Sequence, residues 1–283
     1  MRESVRLPCQ AGRFYEASEH ALRRQIEACF QHDFGPRGLP HVQETGPRQV
    51  LALVAPHAGY MYSGAVAAKG YAYLAEDGRP DAVVLVGPNH TGYGTGVSIM
   101  VHGRWRTPLG DLPIDATLAT AIQQQSQFID VDATAHLYEH SIEVQLPFLQ
   151  YVYGAIPFVP ICMRMQDTEV SRDVGTAIAD AAAGKNVVII ASTDLNHYEA
   201  HAIAETKDEL ALNAVRRLDE AALQAVVEAH GISMCGYGPV SAAIVASKAL
   251  GATQAVVLQH KTSGDVTGDR RQVVGYAAAV MVK

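Results

Sequence analysis

Short apolar segments rich in β-branched residues alternate along the chain with longer segments of helical spacing. The apolar segments cover residues 50–55, 82–86, 156–161, 186–191 and 255–258. The segments with helix-forming residues in helix-like spacing cover residues 63–74, 116–125, 170–183, 202–217 and 238–250. Repeated alternation of a strand and a helix predicts βα units around a buried sheet.

Further segments complete the predicted elements. Residues 19–31 predict a helix, and the loop at 35–46, rich in glycine and proline, joins it to the first core strand. Residues 97–101 and 271–282 are strand-like, and we expect the second of them at an edge of the sheet. Ser63 is the predicted N-cap of the helix after the first core strand. No shift in composition and no internal repeat divides the chain, so residues 1–283 are expected to form one α/β domain.

Composition and charge exclude several classes of protein. The 283 residues are 48% hydrophobic and 18% charged, which is typical of a folded chain rather than a disordered one. The net charge of −7, without any stripe of basic residues, argues against a nucleic-acid partner. The apolar runs are far shorter than the roughly 20 residues that span a bilayer. No apolar segment typical of a secretory signal follows Arg2 and Arg6, so we expect a cytoplasmic protein without a membrane span.

The cysteines are widely separated, and their spacing excludes two common uses. They are Cys9, Cys29, Cys162 and Cys235, with no CxxC motif among them. This spacing disfavours both a disulfide framework and a zinc ribbon. A functional cysteine would therefore act together with residues distant in sequence.

A histidine follows three of the predicted core strands. His57 lies in the PHAGY turn, His90 in GPNHTG and His197 in STDLNH. Because the carboxyl ends of parallel strands line the ligand crevice of α/β sheets, these three side chains are expected to converge. Imidazole is a good ligand for iron, copper and zinc. The alternative for each is a hydrogen-bonded structural histidine, which is the commoner fate of a single histidine on such a loop.

Cys235 is a fourth candidate ligand. It precedes a predicted helix that begins at about Val240. A thiol near a helix N-terminus has its thiolate favoured by the backbone dipole, and thiolate is a good ligand for soft metals. The alternative is a cysteine that serves as a small buried apolar residue.

His136 and His140 are four residues apart, which resembles a helical metal pair. The segment HLYEH is not HExxH and lacks its glutamate in the right position, so zincin chemistry is disfavoured. His140 and Glu143 are candidates for supporting or acid–base groups facing the crevice. The alternative is a helix cap followed by an amphipathic stripe that ends at Pro147.

Two glycine-containing segments are weaker candidates. Residues 261–265 (KTSGD) follow a strand but match neither GxxxxGK[ST] nor GxGxxG, which disfavours a nucleotide site. Residues 92–96 (GYGTG) follow His90 and are expected to form a mobile loop beside the site. No nucleophile elbow surrounds Ser63 or Ser141, so acyl transfer is disfavoured.

Seven blocks of sequence, in one order along nearly the whole chain, resemble the Memo family, whose bacterial and archaeal members are called AmmeMemoRadiSam system protein B. The blocks are AGRFY (11–15), APHAGY with YSG (55–64), GPNH (87–90), TPLG (107–110), EHSIEVQLP (139–147), STDLNHY (192–198) and CG (235–236). The resemblance implies an α/β domain with a central mixed, largely parallel sheet flanked by helices, similar to class III extradiol dioxygenases. Those enzymes hold non-haem Fe(II) with two histidines and a carboxylate.

The resemblance also implies roles for individual residues. His57 and His90 match the two histidine ligands, and Cys235 stands where the dioxygenases place their carboxylate. His197 matches the acid–base histidine, with Asp194 beside it, and Asp194 or His140 is expected to orient it. Fe(II) is the implied metal, with copper as the alternative. Because a thiolate is softer than a carboxylate, the site suits copper better and ordinary catechol cleavage is disfavoured.

Two functions from different classes remain open at this point. The first is a metal-dependent oxidoreductase acting on a small molecule, with His197 moving protons. The second is a non-catalytic binding module whose pocket captures a peptide, a metal or a partner protein; the family label implies AMMECR-like and radical-SAM partners. Vertebrate relatives bind phosphotyrosine peptides, but Phe14 stands here where they have tryptophan. Hydrolysis by a metal-bound water ranks last, since no carboxylate base is recognisable near His57 or His90.

Overall fold

Strands and helices alternate along most of the chain. The computed structural model describes residues 4–283. Its strands are β1 (Val5–Arg6), β2 (Val50–Ala55), β3 (Ala82–Pro88), β4 (Val97–Ile99), β5 (Arg104–Thr107), β6 (Gly110–Pro113), β7 (Ile129–Val131), β8 (Phe158–Met163), β9 (Val187–Ser192), β10 (His197–Glu199), β11 (Gln254–Thr262) and β12 (Val273–Val282). Its α-helices are α1 (Glu19–Gln31), α2 (Tyr60–Asp77), α3 (Ala116–Gln125), α4 (Leu146–Tyr153), α5 (Thr168–Ala182), α6 (His201–Arg216), α7 (Glu220–Ala229), α8 (Tyr237–Ala249) and α9 (Ser263–Thr267). Two 3-10 turns, Thr134–His136 and Glu143–Gln145, precede α4.

The main sheet is mixed, with parallel strands at its centre. Strands β2, β9, β3 and β8 are neighbours in that order and run parallel. Strands β12 and β4 flank this centre in antiparallel orientation, and β7 pairs with β4 in parallel. Strands β10 and β11 pair with β12 in antiparallel orientation. The α/β class and the mixed sheet are therefore confirmed. A small second sheet has the order β1-β5-β6.

Two groups of helices pack against the main sheet. Helix α2 packs on β2 and β12, with α1 and α4 beside it. Helix α8 packs against β2, β3 and β9, with α5 and α7 beside it. The amphipathic spacing of α1 illustrates the cause, because its apolar side chains at Leu22, Ile26 and Phe30 are all buried. The predicted mixed sheet flanked by helices thus encloses an apolar core.

The register of the central strands brings three loops to one edge of the sheet. Ala55 at the end of β2 is paired with Ser192 at the end of β9, and Val86 in β3 is paired with Ala191. Because these strands are parallel, the residues that follow them leave the sheet side by side. This register positions the candidate site.

Several predicted boundaries are wrong. Helix α2 begins at Tyr60 with Gly59 as N-cap, and the hydroxyl of Ser63 donates to the Ala58 carbonyl from inside the helix. Strand β12 lies between β2 and β11 and is not an edge strand. Pro147 lies in the first turn of α4, where its missing N–H costs nothing, and does not end a helix.

The KTSGD segment at residues 261–265 has a structural explanation. Thr262 and Asp265 form the capping box of α9, so the KTSGD segment satisfies its own backbone groups.

Within residues 4–283, no helix combines the length and the apolar character needed to cross a bilayer.

Candidate metal centre

The three predicted ligands meet at the carboxyl edge of the central strands. One potential ligand atom from each of His57, His90 and Cys235 lies within 4.8 Å of the others. The rings of His57 and His90 are 5.2 Å apart between centroids, and Cys235 Sγ lies 3.2 Å from His57 Nε2. Metal bonds of about 2.0–2.3 Å place neighbouring ligand atoms about 3–4 Å apart. Two imidazoles and a thiol at this spacing fit a single iron, copper or zinc ion.

His57 is buried directly after β2. Its backbone N–H donates to Asp194 Oδ1 at 2.8 Å, and its Nδ1 lies 2.9 Å from Ser192 Oγ. Burial lowers the pKa of His57 well below its ordinary value, and the nearby imidazoles of His140 and His90 lower it further. The ring is therefore neutral at pH 7, as a metal ligand requires.

Glu139 holds His90 through both its backbone and its ring. The His90 backbone N–H donates to Glu139 Oε2, and Nδ1 lies 2.9 Å from Oε1. The backbone N–H groups of His140 and Ser141 also donate to Oε1, each at 2.8 Å. Burial alone would raise the pKa of Glu139, but the contacts with His90 and the backbone lower it to about 2. An ionised Glu139 accepts the Nδ1 proton, which leaves Nε2 of His90 as the free ligand atom.

Cys235 is half-buried two residues before α8 and is held by the backbone of Asp194. The Asp194 N–H donates to Sγ at 3.2 Å, and the Cys235 N–H donates to the Asp194 carbonyl at 3.3 Å. Desolvation and then the charge of Asp194 raise the pKa of the Cys235 thiol, against the sequence-based expectation of a favoured thiolate. Metal binding at Sγ would therefore release a proton.

His197 is half-buried beside the ligands, in β10. Its Nδ1 lies 2.9 Å from the Ser233 carbonyl, and its backbone N–H donates to Ser233 Oγ at 2.7 Å. A carbonyl only accepts hydrogen bonds, so Nδ1 carries a proton, and in the neutral ring Nε2 is the acceptor. Ser233 therefore sets the orientation of this ring.

The Asp194 carboxylate supports the backbone around His57 rather than the His197 ring. It accepts the His57 N–H, as described above, and is almost fully buried. Burial raises the pKa of Asp194 to about 6, although backbone donors and the nearby His197 work in the opposite direction. This carboxyl group thus titrates closer to neutrality than an ordinary aspartate.

His140 faces the ligands, and Glu143 does not. The His140 ring stacks on His90 with centroids 4.5 Å apart and meets Phe14 edge-on at 4.9 Å. Burial lowers the pKa of His140 to about 4, against the opposing charge of Glu139. His140 therefore lies at the wall of the cavity beside the candidate ligands.

Glu143 belongs to a buried cluster under the N-terminal segment, so its expected place at the crevice is wrong. Its carboxylate pairs with Arg6 and accepts from Tyr15 Oη at 2.6 Å and from the Cys9 N–H. Arg6 also donates to the backbone carbonyls of His136, at 3.0 Å, and Glu139, at 2.7 Å. The pair therefore anchors the loop that carries Glu139 and His140 to β1.

A cavity of about 410 Å³ adjoins the ligands. Its wall includes four histidines and Asp194, together with aromatic, apolar and basic side chains: His57, His90, His140, Asp194, His197, Arg13, Phe14, Met61, Tyr62 and Tyr198. A cavity of similar volume, about 440 Å³, opens at the amino ends of β2 and β9, and its lining within residues 4–283 contains neither histidine nor cysteine. Of these two cavities, the one at the carboxyl edge of the central strands adjoins the candidate ligands.

Sequence reasoning missed the groups that orient the histidine rings of the site. Glu139, Ser192 and Ser233 each hold a histidine ring, yet none was singled out. Ser192 and Glu139 lie inside the blocks that resemble the Memo family, which was the one available signal. Ser233 lies outside those blocks, and no sequence pattern marked it.

Comparison with known proteins agrees with the fold and with these blocks. A family model described as Memo-like protein matches residues 6–280. The chain belongs to the Memo family. A MEMO1 family protein of Methanopyrus kandleri is 52% identical over 278 residues, covering 97% of this chain and 98% of that protein. A Memo relative from Methanothermobacter thermautotrophicus is 50% identical, covering 96% of this chain and 99% of that protein.

A solved structure is similar in fold. It is that of an uncharacterized protein from Escherichia coli K12, with a TM-score of 0.59 and 13% sequence identity. The match covers 83% of this chain and all of that one. At this level of identity the similarity concerns the fold of the Memo chain and not its chemistry.

Proposed function

We propose that this protein is a metal-dependent oxidoreductase that holds Fe(II) between His57, His90 and Cys235. Its substrate is a small molecule bound in the adjoining cavity. The observation that carries the proposal is the convergence of two imidazoles and one thiol within 4.8 Å, beside a cavity of about 410 Å³. Neutral imidazoles and a thiolate together suit iron and copper, and three protein ligands leave positions open for a substrate.

The bound metal supplies a redox-active Lewis acid next to the cavity. The protein supplies the rest of the chemistry. Ionised Glu139 fixes His90 with Nε2 free, and burial keeps His57 neutral. The Asp194 N–H holds Cys235 Sγ, so that loss of the thiol proton leaves a positioned thiolate. These contacts reduce the cost of assembling the ligand set.

His197 is the proposed proton acceptor for the substrate. Its Nδ1–H is held by the Ser233 carbonyl, so Nε2 accepts a proton from a substrate hydroxyl in the cavity. His140, which is neutral because burial lowers its pKa to about 4, forms the wall between His90 and Phe14. Asp194 completes the proposed catalytic group by holding the backbone of His57.

The relation to class III extradiol dioxygenases is part of the proposal. The thiol of Cys235 takes the position of their carboxylate ligand. A thiolate makes the centre softer, which favours Cu(I) as the alternative metal and disfavours ordinary catechol cleavage. The reaction class is therefore proposed at the level of metal-dependent redox chemistry, without a ring-cleavage step.

Anaerobic titration with Fe(II) and Cu(I), followed by metal analysis, tests the ligand set. The wild-type chain should bind about one equivalent, and His57→Ala and Cys235→Ala should each lose most of it. Cys162→Ala is the matched control, because Cys162 is a buried cysteine in β8 outside this cluster. Full occupancy in both ligand variants would overturn the assignment.

The alternative function is a binding module that uses the same cavity. The exposed side chains of Met61 and Tyr198 at the cavity, 68% and 72% accessible, favour contact with a larger ligand such as a peptide. Oxygen consumption by the metal-loaded protein with a panel of catechols and reductants separates the two functions. Turnover that His197→Gln abolishes at unchanged metal content supports the oxidoreductase. Absence of turnover together with tight ligand binding supports the module.

A further inference from the structure

We propose that Ser192, Gln145 and Tyr71 form a buried hydrogen-bond chain that fixes the tautomer of His57 and leaves its Nε2 as a metal ligand. The inference rests on the proposed metal centre, because it assigns positioning residues to one of its ligands. All three residues are buried. They lie in β9, in the 3-10 turn Glu143–Gln145 and in α2.

The direction of the chain is fixed first at Ser192. Its hydroxyl donates to the Ser141 carbonyl at 2.6 Å. A serine hydroxyl carries one proton, so every other contact of Oγ must be a hydrogen bond that it accepts. Gln145 Nε2 lies 2.8 Å from Oγ and His57 Nδ1 lies 2.9 Å from it. Both nitrogen atoms therefore carry a proton that points at Ser192.

The orientation of the Gln145 amide agrees with this direction. Its Nε2 also lies 2.9 Å from the Pro56 carbonyl, which can only accept. On its other side, the Tyr71 hydroxyl donates to Gln145 Oε1 at 2.8 Å. A flipped amide would place two acceptors against each other at Pro56 and leave Tyr71 facing a donor. The Gln145 amide is consequently locked with its NH₂ group towards Ser192.

The consequence for His57 follows from the proton count of a neutral imidazole. With the proton on Nδ1, the lone pair is on Nε2, which lies 3.2 Å from Cys235 Sγ. The other tautomer would place an N–H at the position where a metal must bind and would break the contact with Ser192. The buried chain thus holds the proton of His57 on Nδ1, as the carboxylate of Glu139 holds the proton of His90 on Nδ1.

Nitrogen-15 NMR of the metal-free protein tests the tautomer without any metal. The His57 signals are assigned by their loss in His57→Ala. We expect the nitrogen-15 chemical shift of Nδ1 to be that of a protonated nitrogen, and the chemical shift of Nε2 to be that of an unprotonated one. A protonated Nε2 in the wild-type chain would overturn the inference. This result stands whether or not Ser192 variants fold.

Ser192→Ala tests the consequence for metal binding. We expect the His57 tautomer to shift towards Nε2–H and the Kd for Co(II), used as the probe, to rise about 10- to 100-fold. Ser247→Ala is the matched control, since Ser247 is equally buried in α8 and its hydroxyl has no hydrogen-bond partner among residues 4–283. Ser247→Ala should leave both the His57 tautomer and the Kd for Co(II) unchanged.

Two outcomes of this comparison would overturn the inference. One is an unchanged Kd and tautomer in Ser192→Ala, and the other is an equal loss of affinity in both variants. Failure of the proposed function is a different result, in which the wild-type chain binds no metal at all. The tautomer measurement would still decide the role of the chain in that case.

Discussion

Glu139 is the residue on which the arrangement of His90 most depends. Its carboxylate accepts from the ring and the backbone of His90, and from the backbone N–H groups of His140 and Ser141. These contacts keep it ionised despite burial. An anionic acceptor on Nδ1 makes the opposite nitrogen of His90 a better metal ligand.

Glu139→Gln should therefore weaken metal binding without removing a ligand. The amide has one acceptor instead of two, so its NH₂ group would face an N–H donor of His90. We expect the Kd for Fe(II), measured by anaerobic competition titration, to rise about 10- to 100-fold. Glu220→Gln is the control, because Glu220 pairs with Arg172 and Lys248 outside the ligand cluster. Equal affinities of the two variants would contradict the role given to Glu139.

At the scale of elements, the centre depends on the close approach of α8 to the end of β9. A Cβ added at Gly236, the N-cap of α8, would lie 2.5 Å from the Ser192 carbonyl oxygen and 2.7 Å from Thr193 Cβ. Contacts under 3.0 Å force the backbone to move. Only glycine at position 236 therefore allows α8 to lie close enough to β9 for Cys235 Sγ to be 3.2 Å from His57 Nε2.

Gly236→Ala should separate Cys235 from the two histidines. We expect the variant to lose about 1–3 kcal/mol of unfolding free energy through overpacking, and to bind Fe(II) more weakly. Urea denaturation of the metal-free protein and metal titration check the two effects. Gly38→Ala is the control, since a Cβ at Gly38 would contact nothing within 4 Å. A variant that matches this control in both measurements would contradict the packing argument.

The features that could be predicted are those with a local sequence pattern. We could predict that His57, His90 and His197 converge because each follows an apolar strand, and parallel register brings strand ends together. Strand β12 was misplaced at an edge, although nearly all of its residues are buried, as is typical of a central strand. Helix α7 was missed because it follows α6 after a short break, with Asp219 as its N-cap.

The supporting contacts could not be predicted in the same way. Ser233 holds His197 from 36 residues away, and Gln145 reaches Ser192 across 47 residues. Neither contact leaves a periodic pattern, because each depends on how separate elements pack. Glu143 was misassigned for the same reason, since its partner Arg6 is 137 residues distant.

At the scale of the whole molecule, His136 lies outside the ligand cluster and is kept neutral by its burial in the folded chain. His136 is fully buried and meets Trp105 edge-on at 5.5 Å. Burial, followed by the charge of Arg6, lowers its pKa from 6.5 to about 4. The unfolded chain therefore binds a proton at this residue between pH 6.5 and 4, where the folded chain does not.

Acid should consequently destabilise the protein in that window. The contribution of His136 is fully present above pH 6.5 and is lost as pH falls, by about 2 kcal/mol at pH 5. Comparing urea denaturation at pH 7 and pH 5, we expect His136→Phe to lose about 2 kcal/mol less than the wild-type chain. An equal loss in both proteins would contradict a neutral buried His136.

X-ray absorption at the iron edge of the Fe(II)-loaded protein tests whether His57, His90 and Cys235 bind one iron. We expect two imidazole nitrogens and one sulfur bound to a single iron, with the sulfur contribution absent in Cys235→Ser and one imidazole fewer in His90→Ala. An iron environment of oxygen and nitrogen only, or one that neither substitution changes, would contradict a centre formed by His57, His90 and Cys235.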